Sequence, residues 1–329
     1  MASFPSFLYR QLVSTKFLPK PTGSHTNKTI LVTGANVGLG KETARHFAQL
    51  GASTVILAVR SLEKGEAAKA DIEKTTGKKN VVQVRYLDMS SYESVIDFAA
   101  KLAKEEQRLD VAILNAGVAR AHWEMQGDDE STITVNVVST FLLALSLLPQ
   151  MKETANKFNT RPNLSIVSSD VHYWAQFPEK DAPKGKIFTQ LSTSNEGVKI
   201  NMENRYQVSK LLDVLCTRAM ADRKSAQTIP VTINTVNPGL CHSELAREGG
   251  WIYIVMKFLL ARTTEEGARN FVYSGIAGPE THGQYISECA ITMPSTFVLS
   301  REGYEVQNKV WEELCAKLER IKPGVTGSL

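Results

Sequence analysis

The chain has 329 residues, 43% of them hydrophobic and 22% charged, the balance of a globular protein with a sizeable core. A formal charge of +4 is too mild for the basic footprint of a nucleic-acid binder, so no nucleic-acid partner is expected. Cys216, Cys241, Cys289 and Cys315 form no CxxC pair and have no nearby histidine cluster. That argues against a metal site or a disulfide framework and for reduced thiols in a cytoplasmic protein.

Residues 1–27 carry Phe4, Phe7, Leu8, Leu12, Phe17 and Leu18 without a continuous apolar run or a small-residue cleavage site. They read as an arm packed on the domain, with a weak membrane-surface helix as the alternative. From residue 28 onward, short β-branched runs alternate with helical patterns. The expected strands are Thr29–Thr33, Thr54–Val59, Val81–Tyr86, Val111–Leu114, Leu164–Val167, Val231–Val236 and, less sharply, Gly283–Ile286. Helices are expected over Lys41–Leu50, Leu62–Thr75 and Thr132–Leu148. The strands are almost continuously apolar, as strands covered on both faces must be. The pattern predicts one α/β domain over 28–329, a Rossmann-type doubly wound parallel sheet with helices on both faces.

Two segments break the alternation. Residues 170–204 hold Pro178, Pro183, Gly185 and Gly197 among polar residues and read as a long loop insertion. Residues 243–264 hold an apolar helix, Trp251–Leu260, after Gly249–Gly250, and read as a substrate lid. The longest central apolar run, Phe141–Leu148, is too short to cross a bilayer.

Between the first strand and first helix lies Gly34-Ala35-Asn36-Val37-Gly38-Leu39-Gly40. Glycines there allow a tight turn and let backbone amides approach a pyrophosphate at the helix N-terminus. The spacing differs from the commoner GxGxxG fingerprint, and a purely structural turn is the competing reading. The second strand ends in Ala58-Val59-Arg60, with no acid to bond the ribose 2′-hydroxyl of NAD. Arg60, Lys64 and Asn36 would instead surround the 2′-phosphate of NADP, so NADP(H) is the expected cofactor.

Taken together, Thr33–Gly40, Asp88, Asn115-Ala116-Gly117, Asn136, Ser168-Ser169, Tyr206-Gln207-Val208-Ser209-Lys210 and Asn237-Pro238-Gly239 resemble the short-chain dehydrogenase/reductase superfamily over roughly residues 28–290. Ala58-Val59-Arg60, Glu63-Lys64-Gly65 and Thr264-Glu265-Glu266-Gly267 are similar to its retinol-dehydrogenase-like branch and to reductases of fungal secondary metabolism. The resemblance implies cofactor contacts from Gly34, Asn36, Val37, Gly38, Leu39, Gly40, Arg60, Lys64, Asp88, Asn115, Ala116, Gly117, Tyr206, Lys210, Gly239 and Ser243. Ser243 stands where the family usually has threonine.

The chemistry is consistent with that resemblance. Moving a hydride to a ketone requires an acid for the developing alkoxide, and the reverse reaction requires a base. A phenol, with pKa near ~10, ionises more readily beside an ammonium group. Tyr206 and Lys210 are four apart, on one face of a helix. The resemblance also gives Lys210 the nicotinamide ribose hydroxyls, Ser169 the substrate oxygen with Ser168 in support, and Asn136 a water beside Lys210. His242 and Cys241 read as a satisfied loop histidine and a packed thiol.

Trp251, Ile252, Tyr253, Met256, Phe258 and Leu259, with His172, Tyr173 and Trp174, suggest an apolar wall for a lipophilic carbonyl or alcohol substrate. The same side chains could instead pack on the body of the protein or on a partner, which a homodimer would supply. A non-catalytic NADP-binding regulator and an epimerase or dehydratase are the rival functions.

Overall fold

The computed structural model describes residue 11 and residues 18–194, 200–242 and 261–329. Ten strands appear among them: β1 (Thr29–Thr33), β2 (Thr54–Val59), β3 (Val82–Tyr86), β4 (Val111–Leu114), β5 (Met125–Gln126), β6 (Asp129–Glu130), β7 (Asn163–Val167), β8 (Thr232–Val236), β9 (Tyr285–Ser287) and β10 (Ala290–Thr292). Eight form one sheet in the order β10-β9-β8-β7-β4-β1-β2-β3, parallel except for β10, which runs antiparallel to β9. Strands β5 and β6 make a separate two-stranded ribbon.

Alternation along β1 shows why the sheet is covered on both sides. Ile30 and Val32 join one apolar cluster and Leu31 the other, and all three are fully buried. With a side-chain period of two, an apolar residue at every position requires a layer on each face. One layer is α1 (Gly38–Gln49) and α2 (Leu62–Thr76), contributing Phe47 and Ile72. The opposite layer includes α3 (Tyr92–Glu105) and α4 (Thr140–Phe158), contributing Phe98 and Phe141. The helical run through α4, Ser131–Phe158, is long and apolar enough to span a bilayer, but 94% of its most apolar window is buried inside the fold. It is a core helix.

Residues 170–204 differ from the loop expected of them. They contain 3-10 turns at Asp170–Trp174 and Pro178–Asp181, then α5 (Ile187–Leu191). Phe177, Ala182, Ile187, Phe188 and Leu191 are buried in the main core. Sparse apolar residues at short spacings had hidden these pieces: each is a turn or two long and is held by tertiary packing rather than by its own propensity. The segment's last residues already belong to α6 (Met202–Arg223), capped by Asn201, whose side chain accepts from the Asn204 amide. Beyond β8 come α7 (Thr264–Ile276), the single turn α8 (Thr296–Leu299) and α9 (Arg301–Ile321), which packs on α6.

Strand order reverses between β1 and β4. In open α/β sheets the crevice at the carboxyl ends of the strands, at such a reversal, is where ligands bind.

Candidate active site

The turn after β1 is shaped by close approach. Gly34 has φ +66°, and a Cβ there would lie 3.0 Å from Ala116 Cα. A Cβ on Gly40 would fall 2.7 Å from both the Gly34 carbonyl oxygen and Asn115 Nδ2. The turn thus folds directly against the end of β4. Asn115 Nδ2 donates to the Thr33 and Gly34 carbonyls at 2.9 and 3.3 Å, and the Ala116 amide donates to Thr33 Oγ1 at 2.9 Å. Helix α1 begins in this turn with no side-chain cap at Val37 and no acid in its first turn. With no acid in its own first turn, the positive end of the helix suits a phosphate approached by Asn36, Val37, Gly38 and Leu39.

At the end of β2, Arg60 is exposed, and among the described residues it has no hydrogen bond or ion pair. Lys64, also exposed, lies in the first turn of α2, where its amide is capped by Ser61 Oγ at 3.3 Å. Asp88, after β3, is half-buried and accepts from the amide and hydroxyl of Ser90 at 2.9 and 2.7 Å.

Asn136 sits in a π-helical stretch, Thr134–Ser139, ahead of α4. Its side chain is fully engaged: Oδ1 accepts from the Val118 amide at 2.8 Å, and Nδ2 donates to the Val118 carbonyl at 2.9 Å and to Ser209 Oγ at 3.0 Å. The Asn136 side chain therefore clamps the strand β4 exit to α6. A Cβ on Gly117 would lie 3.1 Å from Asn136 Oδ1 and 3.9 Å from Lys210 Nζ. This brings the Asn115–Gly117 turn, Asn136 and Lys210 together.

The end of β7 meets α6 through two hydrogen bonds. Ser168, 2% exposed, donates from Oγ to the Lys210 carbonyl at 2.8 Å. Lys210 Nζ donates to the Val167 carbonyl at 2.8 Å and to Asp213 Oδ2 at 3.0 Å. Nζ also lies 5.9 Å from the centre of the Tyr206 ring. Ser169 is half-buried at the strand end and caps the 3-10 turn, its Oγ accepting from the Val171 amide at 3.4 Å. His172 Nδ1 lies 2.8 Å from the Ser169 carbonyl, and its Nε2 accepts from the Ser295 amide at 3.1 Å, so β7's end is braced from two sides. Asp213 and Ser209 escaped the sequence reading. Asp213 had a visible signal, a lone acid three residues after Lys210 in the apolar run Leu211–Cys216.

After β8, Asn237 Oδ1 accepts from the amides of Asp170 and Gly239, both at 3.1 Å, and orders the Gly239 turn. Ser243 and the apolar helix expected over Trp251–Leu260 lie outside the described residues. The described residues on either side are joined: His242 N donates to the Arg262 carbonyl at 3.0 Å and Arg262 N to the Leu240 carbonyl at 2.8 Å. Arg262–Glu266 is held by its own contacts. The buried Arg262 guanidinium pairs with Glu288 at 2.6 Å, and Thr263 and Glu266 form a capping box that starts α7. A buried charge with a bound partner and a capped helix leave little slack. From the arm, Gln11 exchanges two hydrogen bonds with the Leu240 backbone, at 2.9 and 3.1 Å. Cys241 is buried and donates weakly to the Pro238 carbonyl, while the His242 side chain is exposed.

A glycine turn at the strand-order reversal, beside a serine, a tyrosine and a lysine held by β7 and α6, defines an α/β oxidoreductase of the dinucleotide-binding type. Residues 28–161 match the family model for short chain dehydrogenases. The chain is 53% identical over 327 residues to the short chain dehydrogenase/reductase dmxR8 of Cryptosporiopsis sp., covering 98% of this chain and 99% of that one. It is 44% identical over 279 residues to the short chain dehydrogenase atnD of Emericella nidulans, covering 82% and 87%. Among solved structures, a protein from Mycobacterium paratuberculosis superposes with TM-score 0.64 at 25% identity over 91% of this chain and 95% of its own. The chain belongs to the short-chain dehydrogenase/reductase family and is an oxidoreductase of small molecules.

Proposed function

We propose that the protein is an NADP(H)-dependent reductase that interconverts a ketone or aldehyde and an alcohol on a lipophilic small molecule, in fungal secondary metabolism. The observation that carries the reading is the joining of β7 to α6 through Ser168 and Lys210. It puts Ser169, Tyr206 and Lys210 on elements that share one end of the sheet with the Gly34–Gly40 turn.

When bound, the nicotinamide supplies or accepts the hydride. The first-turn amides of α1 would take the pyrophosphate, and the exposed Arg60, with Lys64, would take the 2′-phosphate. Ser169 would hold the substrate oxygen by its hydroxyl, and Tyr206 would exchange the proton with that oxygen. Lys210 would favour ionisation of the phenol, as a neighbouring cation does, and bond the ribose hydroxyls. The side chain of Asn136, spent on Val118 and Ser209, acts by holding the lysine's surroundings together. Segment 243–264 would cover an apolar substrate. A reducing, cytoplasmic setting, in which Cys216, Cys241, Cys289 and Cys315 stay thiols, belongs to the same proposal.

The test is an assay of purified protein with NADPH and with NADH against a panel of apolar aldehydes and ketones. NADPH oxidation with several of them, and a clear preference over NADH, is expected. A preference for NADH, or redox-neutral turnover with retained cofactor, would replace this reading.

A further inference from the structure

Asp213 is fully buried, on the same face of α6 as Tyr206 and Lys210, seven and three residues back along the helix. Its Oδ2 receives the Lys210 ammonium at 3.0 Å, while its Oδ1, equally buried, has no hydrogen-bond partner among the described residues. The lysine side chain is itself almost enclosed, and its other anchor is the Val167 carbonyl. A carboxylate half-satisfied in the interior is costly and is not explained by packing, which a leucine would serve better at this position.

We propose that Asp213 is a positioning residue for the reaction: its carboxyl group pins the Lys210 ammonium against the end of β7 and sets how much of the lysine's charge reaches the Tyr206 phenol. The inference rests on the catalytic reading of Tyr206 and Lys210 given above. With Asp213 ionised, the pair is a compact dipole whose field at the phenol is weak. With Asp213 neutral, the full positive charge acts on it. Burial, opposed by Lys210, pushes the Asp213 carboxyl up to about 7, so the balance falls in the neutral range.

The surroundings leave Lys210 as the charge that governs it. Strands β7 and β8 and the stretch Ser131–Ser139 bring no titratable side chain to α6. The 3-10 turn Asp170–Trp174 brings Asp170, His172 and Tyr173, which are bonded respectively to Tyr285, to Ser169 and Ser295, and to Met293. Helix α9 brings Cys315, and α6 itself carries Cys216, three residues on from Asp213, a thiol that burial first, then Asp213 and Cys315, push well above its usual range.

Asp213→Asn keeps the shape and a carbonyl acceptor for Nζ but removes the charge for good. The phenol then faces an uncompensated ammonium at every pH and ionises sooner. The readout is tyrosinate absorbance in the near ultraviolet, titrated with NADP⁺ bound. The difference between wild type and Tyr206→Phe isolates the Tyr206 step, and the same difference is taken in the Asp213→Asn background. That step is expected to move about one pH unit lower, and the alkaline fall of carbonyl reduction should move with it while the substrate KM stays within about twofold. Asp213→Ser, smaller and still able to accept from Nζ, gives the same shift if the asparagine variant does not fold. A Tyr206 step that stays in place or moves upward in a folded variant overturns the inference alone. Undiminished turnover in Tyr206→Phe would instead overturn the catalytic reading on which it rests.

Discussion

Ser168 and Ser169 are adjacent, yet they face different tasks: the first is sealed against the Lys210 carbonyl at 2.8 Å, and the second stands half-buried at the mouth of the strand. Alternation along β7 turns one inward and leaves the other at the crevice. Ser169→Ala should therefore reduce turnover by on the order of 10² with little change in melting temperature. Ser168→Ala should leave most of the turnover but cost about 1 kcal/mol of stability, the scale of one buried hydrogen bond. Steady-state kinetics and thermal melting of both variants separate the two. Reversed kinetic effects would mean that the strand end is out by one residue.

Arg60→Asp tests the cofactor choice. It exchanges an exposed cation for an anion at the end of β2, and NADPH binding should weaken by about 1–3 kcal/mol. NADH binding should be unchanged or improved. Fluorescence titration with each cofactor gives the answer, and equal losses for both would place Arg60 away from the 2′-phosphate.

Gly40→Ala tests the turn. The added methyl would meet the Gly34 carbonyl and the Asn115 amide at 2.7 Å, and neither is the free end of a flexible side chain. The turn or the strand β4 exit must shift, by an amount typical of overpacking, about 1–3 kcal/mol. Both melting temperature and cofactor affinity should fall. A variant that binds NADPH as wild type does would show that the turn is not the cradle.

Stability should fall on mild acidification, in part through His25. The ring is buried against Phe47, at 5.3 Å between centres, with neither nitrogen hydrogen-bonded among the described residues, and burial first, then Lys28, lowers its pKa. A histidine depressed in the folded state leaves the unfolded chain binding more protons as pH drops below the ordinary histidine value near ~6.5. Stability is therefore whole above that value and is lost as pH falls toward the folded one. His46 and His282 are lowered as well, mainly by burial, and add in the same direction. His25→Leu should flatten the decline of melting temperature between about pH 8 and about pH 5.5, and an unchanged slope would assign it to the other histidines.

The parallel sheet could be read from the sequence because its strands are short, apolar throughout and separated by turn residues, so β1, β2 and β4 match their expected limits. Local pattern failed where tertiary contact decides the structure. The buried turns at Phe177 and Ile187 have no period to detect, and Arg262 is held by Glu288, 26 residues away. At the site, spacing put Tyr206 and Lys210 on one helix face, and the family resemblance singled out Ser169 from the pair Ser168-Ser169. Nothing local announced that Asn136 would spend its amide on Val118 and Ser209, whereas the lone acid Asp213 in the apolar run Leu211–Cys216 was a signal that went unread.

The central claim is that Tyr206 exchanges the proton of a carbonyl reduction driven by NADPH. Single-turnover reduction by Tyr206→Phe, with NADPH bound and a carbonyl substrate from the panel, tests it most directly. The account predicts cofactor affinity within about twofold of wild type and a hydride-transfer rate lower by on the order of 10² or more. A rate close to wild type in the variant would contradict it, because the ring would then be present and the proton it was assigned to move would be dispensable.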